Sequence, residues 1–248
     1  MTPIVGSPIW IGTSGFQYPE WKGTFYPDKL ATKKMLAYYG RYFPTTESNY
    51  TFRTIPSVKT LSNWSAETPE NFRFTLKATQ EITHFKKLRG CDDVMTRFWE
   101  AASTLNEKLG PVLFQLPPYF KKDLPVLNKF LASLPLGMKC AFEFRHESWF
   151  SEDVYAALHA KNAALCIADS EKLKTPVILT ADHGYFRLRD EGYTEKDIAR
   201  WAEVISGHGK QVKLTYVYFK HEESGIGPKF AAQLMDLLGA QAVRSAVN

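Results

Sequence analysis

Charged side chains alternate with aromatic ones in a short apolar segment of this sequence. In CAFEFRH, residues 140–146, Glu143 and Arg145 alternate with Phe142 and Phe144. Alternation of this kind is typical of a β-strand, because successive side chains leave opposite faces. The two phenylalanines predict that one face packs in a hydrophobic core. The other face carries a carboxylate beside a guanidinium, a pair that could bind a polar ligand or move a proton.

Similar polar positions occur near the C-terminal ends of other apolar segments. They are Glu47, Asn49, Lys77, Gln115, Asp169, Arg187 and Arg189. An ion buried in a dry interior costs several kcal/mol in lost hydration, and apolar residues would serve stability equally well. We therefore expect these side chains to line a polar cavity. A self-compensating ion network with a purely structural role is the alternative.

The residue types in this set suggest acid–base chemistry on an anionic ligand. Glu143 is the candidate general base, and His84 and Asp169 are the other candidate catalytic groups. Arg145, Lys77 and Arg187 are expected to form an anion site. A guanidinium meets two oxygens at once, and a lysine adds a compact point charge.

A metal site is the competing interpretation of the same carboxylates. Glu47, Glu143 and Asp169, with His84 or His146, could supply oxygen and nitrogen ligands. However, three cationic side chains are expected at the same place, and no H-E-x-x-H or equivalent spacing occurs. We therefore predict that the protein uses no metal and no cofactor.

The segments that carry these residues alternate with amphipathic helical patterns. The apolar segments span residues 9–16, 45–52, 72–79, 110–117, 139–146, 163–169, 185–190 and 212–219. Strict alternation of strands and helices argues for parallel pairing through right-handed crossovers. Residues 170–184 contain no convincing helical pattern.

This order predicts an α/β fold, a single (β/α)8 TIM barrel over residues 1–248. One outer helix is expected to be missing between strands six and seven. A doubly wound open sheet is the alternative. Active sites of such barrels lie at the C-terminal ends of the strands, where the polar residues cluster.

The overall composition excludes several classes of protein. The chain has 248 residues, 44% of them hydrophobic, and a net charge of +5. It therefore does not resemble a disordered or fibrous protein. Its three isolated cysteines argue against a disulfide framework and a structural zinc site. The start lacks a signal-peptide pattern, and no apolar stretch could span a membrane. We expect a cytoplasmic protein without a membrane partner; the sequence leaves its oligomeric state open.

Six motifs taken together resemble the YecE-like family, a domain-of-unknown-function family with number 72. They are GTSGFQYPEWKGTFYP, ESNYTF, FTLKATQEITH, LFQLPP, FEFRHESW and YFRLR, in family order from about Gly12 to about Leu238. The resemblance implies a TIM barrel and no established reaction. The polar positions of the family's motifs fall here on Glu47, Asn49, Lys77, His84, Gln115, Glu143, Arg145, Trp149, Asp169 and Arg187.

Three places depart from the family's usual pattern. Arg189 and Asp190 stand where His-Gly is expected, Lys220 and His221 where asparagines are usual, and Arg53 where tyrosine is common. If these positions contact the ligand, this chain prefers a more anionic one.

Two functions remain open at this point. The first is an enzyme, such as a hydrolase, lyase or isomerase, acting on a phosphorylated sugar or nucleotide fragment. Its ligand-binding residues would be Glu47, Asn49, Lys77, Gln115, Arg145, Trp149 and Arg187. The second is a non-catalytic binding protein for nucleic acid or another anion, because the loops are rich in aromatic and basic residues. Nucleic acid is the less favoured partner, since aromatic residues also cap barrels.

Overall fold

Eight parallel strands close into a barrel in the computed structural model, which describes residues 6–170, 173–222 and 225–246. The strands are β1 (Ile9–Ser14), β2 (Thr45–Ser48), β3 (Arg73–Lys77), β4 (Leu109–Gln115), β5 (Cys140–Glu143), β6 (Ala164–Asp169), β7 (His183–Leu188) and β8 (Leu214–Phe219). They pair in chain order, and β8 pairs with β1. The predicted TIM barrel is confirmed, and the open sheet is excluded.

Helices connect the strands on the outside of the barrel. They are α1 (Met35–Tyr39), α2 (Tyr50–Arg53), α3 (Val58–Ala66), α4 (Asp92–Ser103), α5 (Leu124–Ser133), α6 (Glu152–Ala160), α7 (Glu195–Gly209) and α8 (Ile226–Leu238). Short 3-10 turns lie at Pro19–Trp21, Thr32–Lys34, Asn106–Lys108, Glu147–Trp149 and Gly239–Gln241, and a π turn at Glu81–Phe85. Between β6 and β7, the described residues form no helix. The predicted missing helix is therefore confirmed for the described part of that connection.

The main hydrophobic core lies between the strands and the helices. Phe142 of β5 stacks on Phe114 of β4 with ring centres 5.1 Å apart, and its ring centre lies 6.2 Å from that of Phe130 in α5. Phe144 stacks on Trp149 at 4.7 Å. Both phenylalanines therefore point outward, as the alternation predicts, and the intervening Glu143 points inward.

A second, smaller core fills the barrel interior below the polar groups. Its buried members are Leu113, Ala141, Ala164, Cys166, Ala168, Tyr185, Tyr216 and Tyr218. The hydroxyl of Tyr218 is hydrogen-bonded to the hydroxyls of Thr45 and Thr75, 2.8 Å from each. The interior is thus packed and closed beneath the C-terminal mouth, as expected for an eight-stranded barrel.

Several strands end earlier than the apolar segments predict. The strand predicted through Phe52 ends at Ser48, because the chain turns at Asn49 (φ −84°, ψ −15°) into α2. The hydroxyl of Thr51 then donates to the carbonyl of Lys77 at 2.6 Å, which holds this turn over the end of β3. Likewise β5 ends before Arg145 and β7 before Arg189, so both arginines lie in loops.

Two sequence-based exclusions concern cysteines and membranes. Cys91, Cys140 and Cys166 are free and buried, as the isolated spacing predicts. Among the described residues, no helix combines the length and the apolar character needed to cross a bilayer.

Candidate functional site

Arg187 lies between two carboxylates at the C-terminal end of the barrel. Its Nη2 donates to Oε1 of Glu47 at 2.8 Å, and its Nη1 donates to Oε2 of Glu143. Its Nε also donates to Glu47, at 3.1 Å. Arg187 is only 1% exposed, and both carboxylates are equally buried. This ion network joins β2, β5 and β7, and it leaves Arg187 no free surface for a ligand, which corrects its expected place in an open anion site.

Glu47 is saturated with hydrogen bonds. Besides Arg187, it accepts from the hydroxyl of Ser14 and, at 2.6 Å, from that of Tyr185. Burial alone raises the pKa of Glu47, but Arg187 and the two hydroxyls outweigh it, so the pKa falls below its ordinary value. Asn49 belongs to the same cluster although it is not on a strand, because its amide donates to Ser14 Oγ at 3.0 Å.

Glu143 is surrounded by donors. Gln115 donates to its Oε2 at 2.9 Å, and Nε of Arg145 donates to its Oε1 at 2.9 Å. Burial raises the pKa of Glu143, but the guanidinium groups of Arg187, Arg145 and Arg189 hold it well below its ordinary range. A carboxylate of this kind is a poor proton acceptor near neutral pH, so its surroundings do not suit the general-base role expected for Glu143.

Arg145 and Arg189 stand above this network at the edge of a cavity. Their side chains are 29% and 24% exposed, and both contact Oε1 of Glu143, at 2.9 and 3.5 Å. Within the described residues the Arg145 side chain makes no other hydrogen bond, and the buried Nε of Arg189 has no partner. Both line a cavity of about 380 Å³. Arg189 also lines a second cavity of about 310 Å³, together with Lys220.

Lys77 is the last residue of β3 and points into the barrel mouth. It is 8% exposed, and its Nζ lies 4.0 Å from the centre of the Phe52 ring. Burial, together with the charges of Arg187 and Arg145, lowers the pKa of Lys77 to about 7, despite Glu143 and Glu47. An amine with this pKa titrates near neutral pH, so both its charged and its neutral forms are populated there.

His84 lies near Lys77 in the π turn after β3. Its half-buried ring meets Phe52 edge to face with centres 5.0 Å apart, and its Nδ1 is hydrogen-bonded to Thr83 Oγ1 at 2.9 Å. Burial, and then the charges of Lys77 and Arg145, lower the pKa of His84. Lys77 and His84 therefore contact the same aromatic ring, and the lowered pKa favours the neutral form of the imidazole.

Asp169 lies on the other side of the barrel wall. It accepts from the hydroxyl of Tyr193 at 2.8 Å and from the indole of Trp201 in α7 at 3.2 Å. The expectation that Asp169 joins Glu47 and Glu143 at the mouth is therefore corrected. The sequence contains the signal, because in ALCIAD Asp169 has the same parity as the outward-facing Leu165 and Ile167.

Trp149 belongs to the outer core, which corrects its expected place among the ligand-binding residues. It is fully buried, and its indole donates to the carbonyl of Phe120 at 2.7 Å. One face of its ring stacks on Phe144. It therefore has no surface to offer a ligand, and it supports the β5 wall instead.

No cluster in the described part of the chain brings three His, Cys, Asp or Glu side chains together as metal ligands. The guanidinium of Arg187 occupies the space between Glu47 and Glu143. Asp169 faces away from both. The absence of a metal in the working protein stays a prediction.

The sequence reasoning missed two residues of the network, Ser14 and Tyr185. Ser14 ends β1 and Tyr185 precedes Arg187 by two positions in β7, so both face inward. The same parity rule that selected Glu143 would have found them. Their hydroxyls are donors that keep Glu47 ionised inside the barrel.

The sequence profile of the family described as "Protein of unknown function DUF72" matches residues 10–247. The chain is 25% identical to the UPF0759 protein YunF of Bacillus subtilis, covering 93% of this chain and 94% of that protein. It is 32% identical to the UPF0759 protein YecE of Escherichia coli K12 over 168 residues, which are 65% of this chain and 59% of that protein.

Solved structures agree with this assignment. A crystal structure of a DUF72 family protein from Thermotoga maritima superimposes with a TM-score of 0.83 at 29% identity, covering 93% of this chain and 99% of that one. One from Enterococcus faecalis gives 0.78 at 20% identity, covering 93% and 95%, and shows the shared fold. The motifs, the profile match and the barrel agree: the chain belongs to the DUF72 family, whose YecE-like members are of uncharacterised function.

Proposed function

We propose that this chain is an enzyme that binds a small anionic substrate at the barrel mouth and acts on it by proton transfer. The observation that carries the proposal is the shared use of Glu143 Oε1 by Arg145 and Arg189. One carboxylate oxygen cannot satisfy two guanidinium groups, so donors remain for a ligand. The planar guanidinium fork suits a carboxylate or phosphate, which it meets with two parallel hydrogen bonds.

The other cations of the mouth support an anionic ligand. Burial lowers the pKa values of Lys77, Arg189 and Lys220. Repulsion from nearby guanidinium groups lowers each of these pKa values further. An anion bound among these groups would relieve that repulsion. It would also replace part of the hydration that burial has removed.

Proton transfer is assigned to His84 and Lys77 rather than to Glu143. The pKa of Lys77 is about 7, and groups that titrate near the working pH are the effective general acids and bases. The lowered pKa of His84 favours its neutral imidazole, which can accept a proton. Glu143, whose pKa is held low, would instead orient Arg145 and Arg189.

Thermal melts with added phosphate test the anion site. At constant ionic strength, phosphate should raise the melting midpoint of the wild-type chain, because a ligand that binds only the native state adds about 2.7 kcal/mol at a hundredfold excess over its Kd. In Arg145→Gln this increase should fall to less than about a third, since the bidentate donor is lost.

The matched control is Arg41→Gln. Arg41 is exposed in the turn between α1 and β2, at the opposite end of the barrel. It should respond to phosphate as the wild type does. Equal responses of all three proteins, or none, would show that the mouth is a structural ion network without an anion site.

A non-catalytic nucleic-acid-binding protein is the second candidate. Tyr119 is 63% exposed, and Nζ of Lys87 lies 5.1 Å from its ring centre, a pairing suited to base stacking beside phosphate. However, Trp21, Tyr26 and Phe120 of the aromatic loops are buried. Binding to a phosphate backbone weakens log-linearly with salt, so the salt dependence of oligonucleotide binding distinguishes this function from a small-anion site.

A further inference from the structure

Lys77 carries a buried amine without an ionic partner. Within the described residues its Nζ forms no ion pair and no hydrogen bond, and its contact is the face of Phe52 at 4.0 Å. The contrast is Lys108, whose partly buried Nζ donates to the carbonyls of Ser65 at 2.6 Å and Thr68 at 2.8 Å. A lysine that only supported the fold would be expected to have such acceptors.

We propose that Lys77 is a catalytic nucleophile that forms an imine with the carbonyl group of an anionic aldehyde or ketone. This inference rests on the proposed function, since Arg145 and Arg189 would hold the anionic group of the same substrate. Lysines that form imines are activated by desolvation or by neighbouring cations, and Lys77 has both.

The charges around Lys77 come from each wall of the mouth. They are Glu47 on β2, Glu143 at the end of β5, Arg145 in the loop after it, Arg187 on β7 and His84 in the turn after β3. Both carboxylates are already paired with Arg187. With a pKa of about 7, Lys77 is roughly half neutral at pH 7, against roughly one part in 2,500 for an ordinary lysine.

The step conserves atoms and electrons without an oxidant or reductant. The lone pair of Nζ forms a bond to the carbonyl carbon, and the carbonyl π pair moves to oxygen. One proton passes from nitrogen to that oxygen, and solvent supplies a second. The oxygen then leaves as water, and the nitrogen lone pair completes a protonated imine.

Reductive trapping tests the proposal on the full chain. The protein is incubated near pH 7 with cyanoborohydride and glyoxylate, an anionic aldehyde, or with propionaldehyde, a neutral one. Cyanoborohydride delivers hydride to the imine carbon and converts it to a stable secondary amine. Peptide mapping by mass spectrometry then gives the labelling rate at each lysine.

Glyoxylate should label Lys77 roughly tenfold or more faster than exposed Lys161, because far more of its amine is neutral. The ratio of the Lys77 rate to the Lys161 rate should also be higher with glyoxylate than with propionaldehyde. Labelling of Lys77 no faster than Lys161 would overturn the proposal. An equal ratio for the two aldehydes would overturn the anionic substrate class.

The result is independent of whether a variant folds, because wild-type labelling is site-resolved. Lys77→Arg, which removes the nucleophilic amine, should lose the selective adduct, and Lys161→Arg should keep it. If phosphate stabilises the fold but Lys77 is not selectively labelled, the imine is refuted and the anion site is still supported. Phosphate could instead fail both to slow the selective labelling of Lys77 and to raise the melting midpoint. That result would refute the anion site and leave the imine.

Discussion

At the level of single residues, Lys77 and Arg187 show how surroundings divide the roles of two cations at one end of the barrel. Arg187 uses its donors on Glu47, Glu143 and Ser14, so it stays charged and inaccessible. Lys77 lies over Phe52 without such acceptors, and burial lowers its pKa to about 7. The first residue holds the site together, and the second is available for chemistry.

Replacing Lys77 with methionine should change how stability depends on pH. The native pKa of about 7 lies below the unfolded value of about 10.4, so between these values the unfolded chain binds a proton that the native chain lacks. Wild-type stability therefore rises with pH in this window, by about 2–3 kcal/mol from pH 6 to pH 9 for this group. The free energy of unfolding of Lys77→Met, measured by urea denaturation, should not show this rise between pH 6 and pH 9. Lys161→Met, at an exposed site, should keep the wild-type rise in the free energy of unfolding. If Lys77→Met showed the same rise as the wild type, the shifted pKa of Lys77 would be contradicted.

At the level of elements, the ion network connects strands that are not neighbours in the barrel wall. Glu47 on β2 and Glu143 on β5 meet through Arg187 on β7, and Ser14 brings in β1. Outside the wall, Asp169 connects β6 to α7 through Trp201. The inner and outer faces of the wall therefore carry separate hydrogen-bonded polar clusters, and only the cluster on the inner face borders the mouth.

Removing one charge from the network should destabilise the whole barrel. Glu47→Gln leaves Arg187 buried and only partly paired, which should cost about 3–5 kcal/mol in the free energy of unfolding. Glu203→Gln, exposed on α7, should change it by less than about 0.5 kcal/mol. Urea denaturation measures both, and equal stabilities would mean that Glu47 is not ionised in the native state.

At the level of the whole molecule, barrel closure decides which charges meet. The carboxylates that could form a metal site are divided between the two faces of the wall, and the guanidinium of Arg187 fills the gap between the inner pair. Cations at the mouth disfavour a further positive ion and favour an anion.

We therefore predict that the chain purified without chelator carries no stoichiometric transition metal. Elemental analysis should find well below one zinc, manganese or iron atom per chain, because Arg187 lies between Glu47 and Glu143 and is paired with both. About one atom of any of these metals per chain would contradict this prediction. It would make Glu47 and Glu143 candidate ligands and require Arg187 to move.

The sequence by itself determined the barrel and the inward direction of Glu143 and Lys77. Both follow from periodicity along one strand, a local property that needs no knowledge of the neighbours. Parity also contained the outward direction of Asp169, which we had assigned to the mouth. Only the tertiary structure decided that Arg187 is buried between two carboxylates, that Trp149 is enclosed and that Lys77 lacks an acceptor. These depend on distances between strands far apart in the chain, which barrel closure sets and no local pattern encodes.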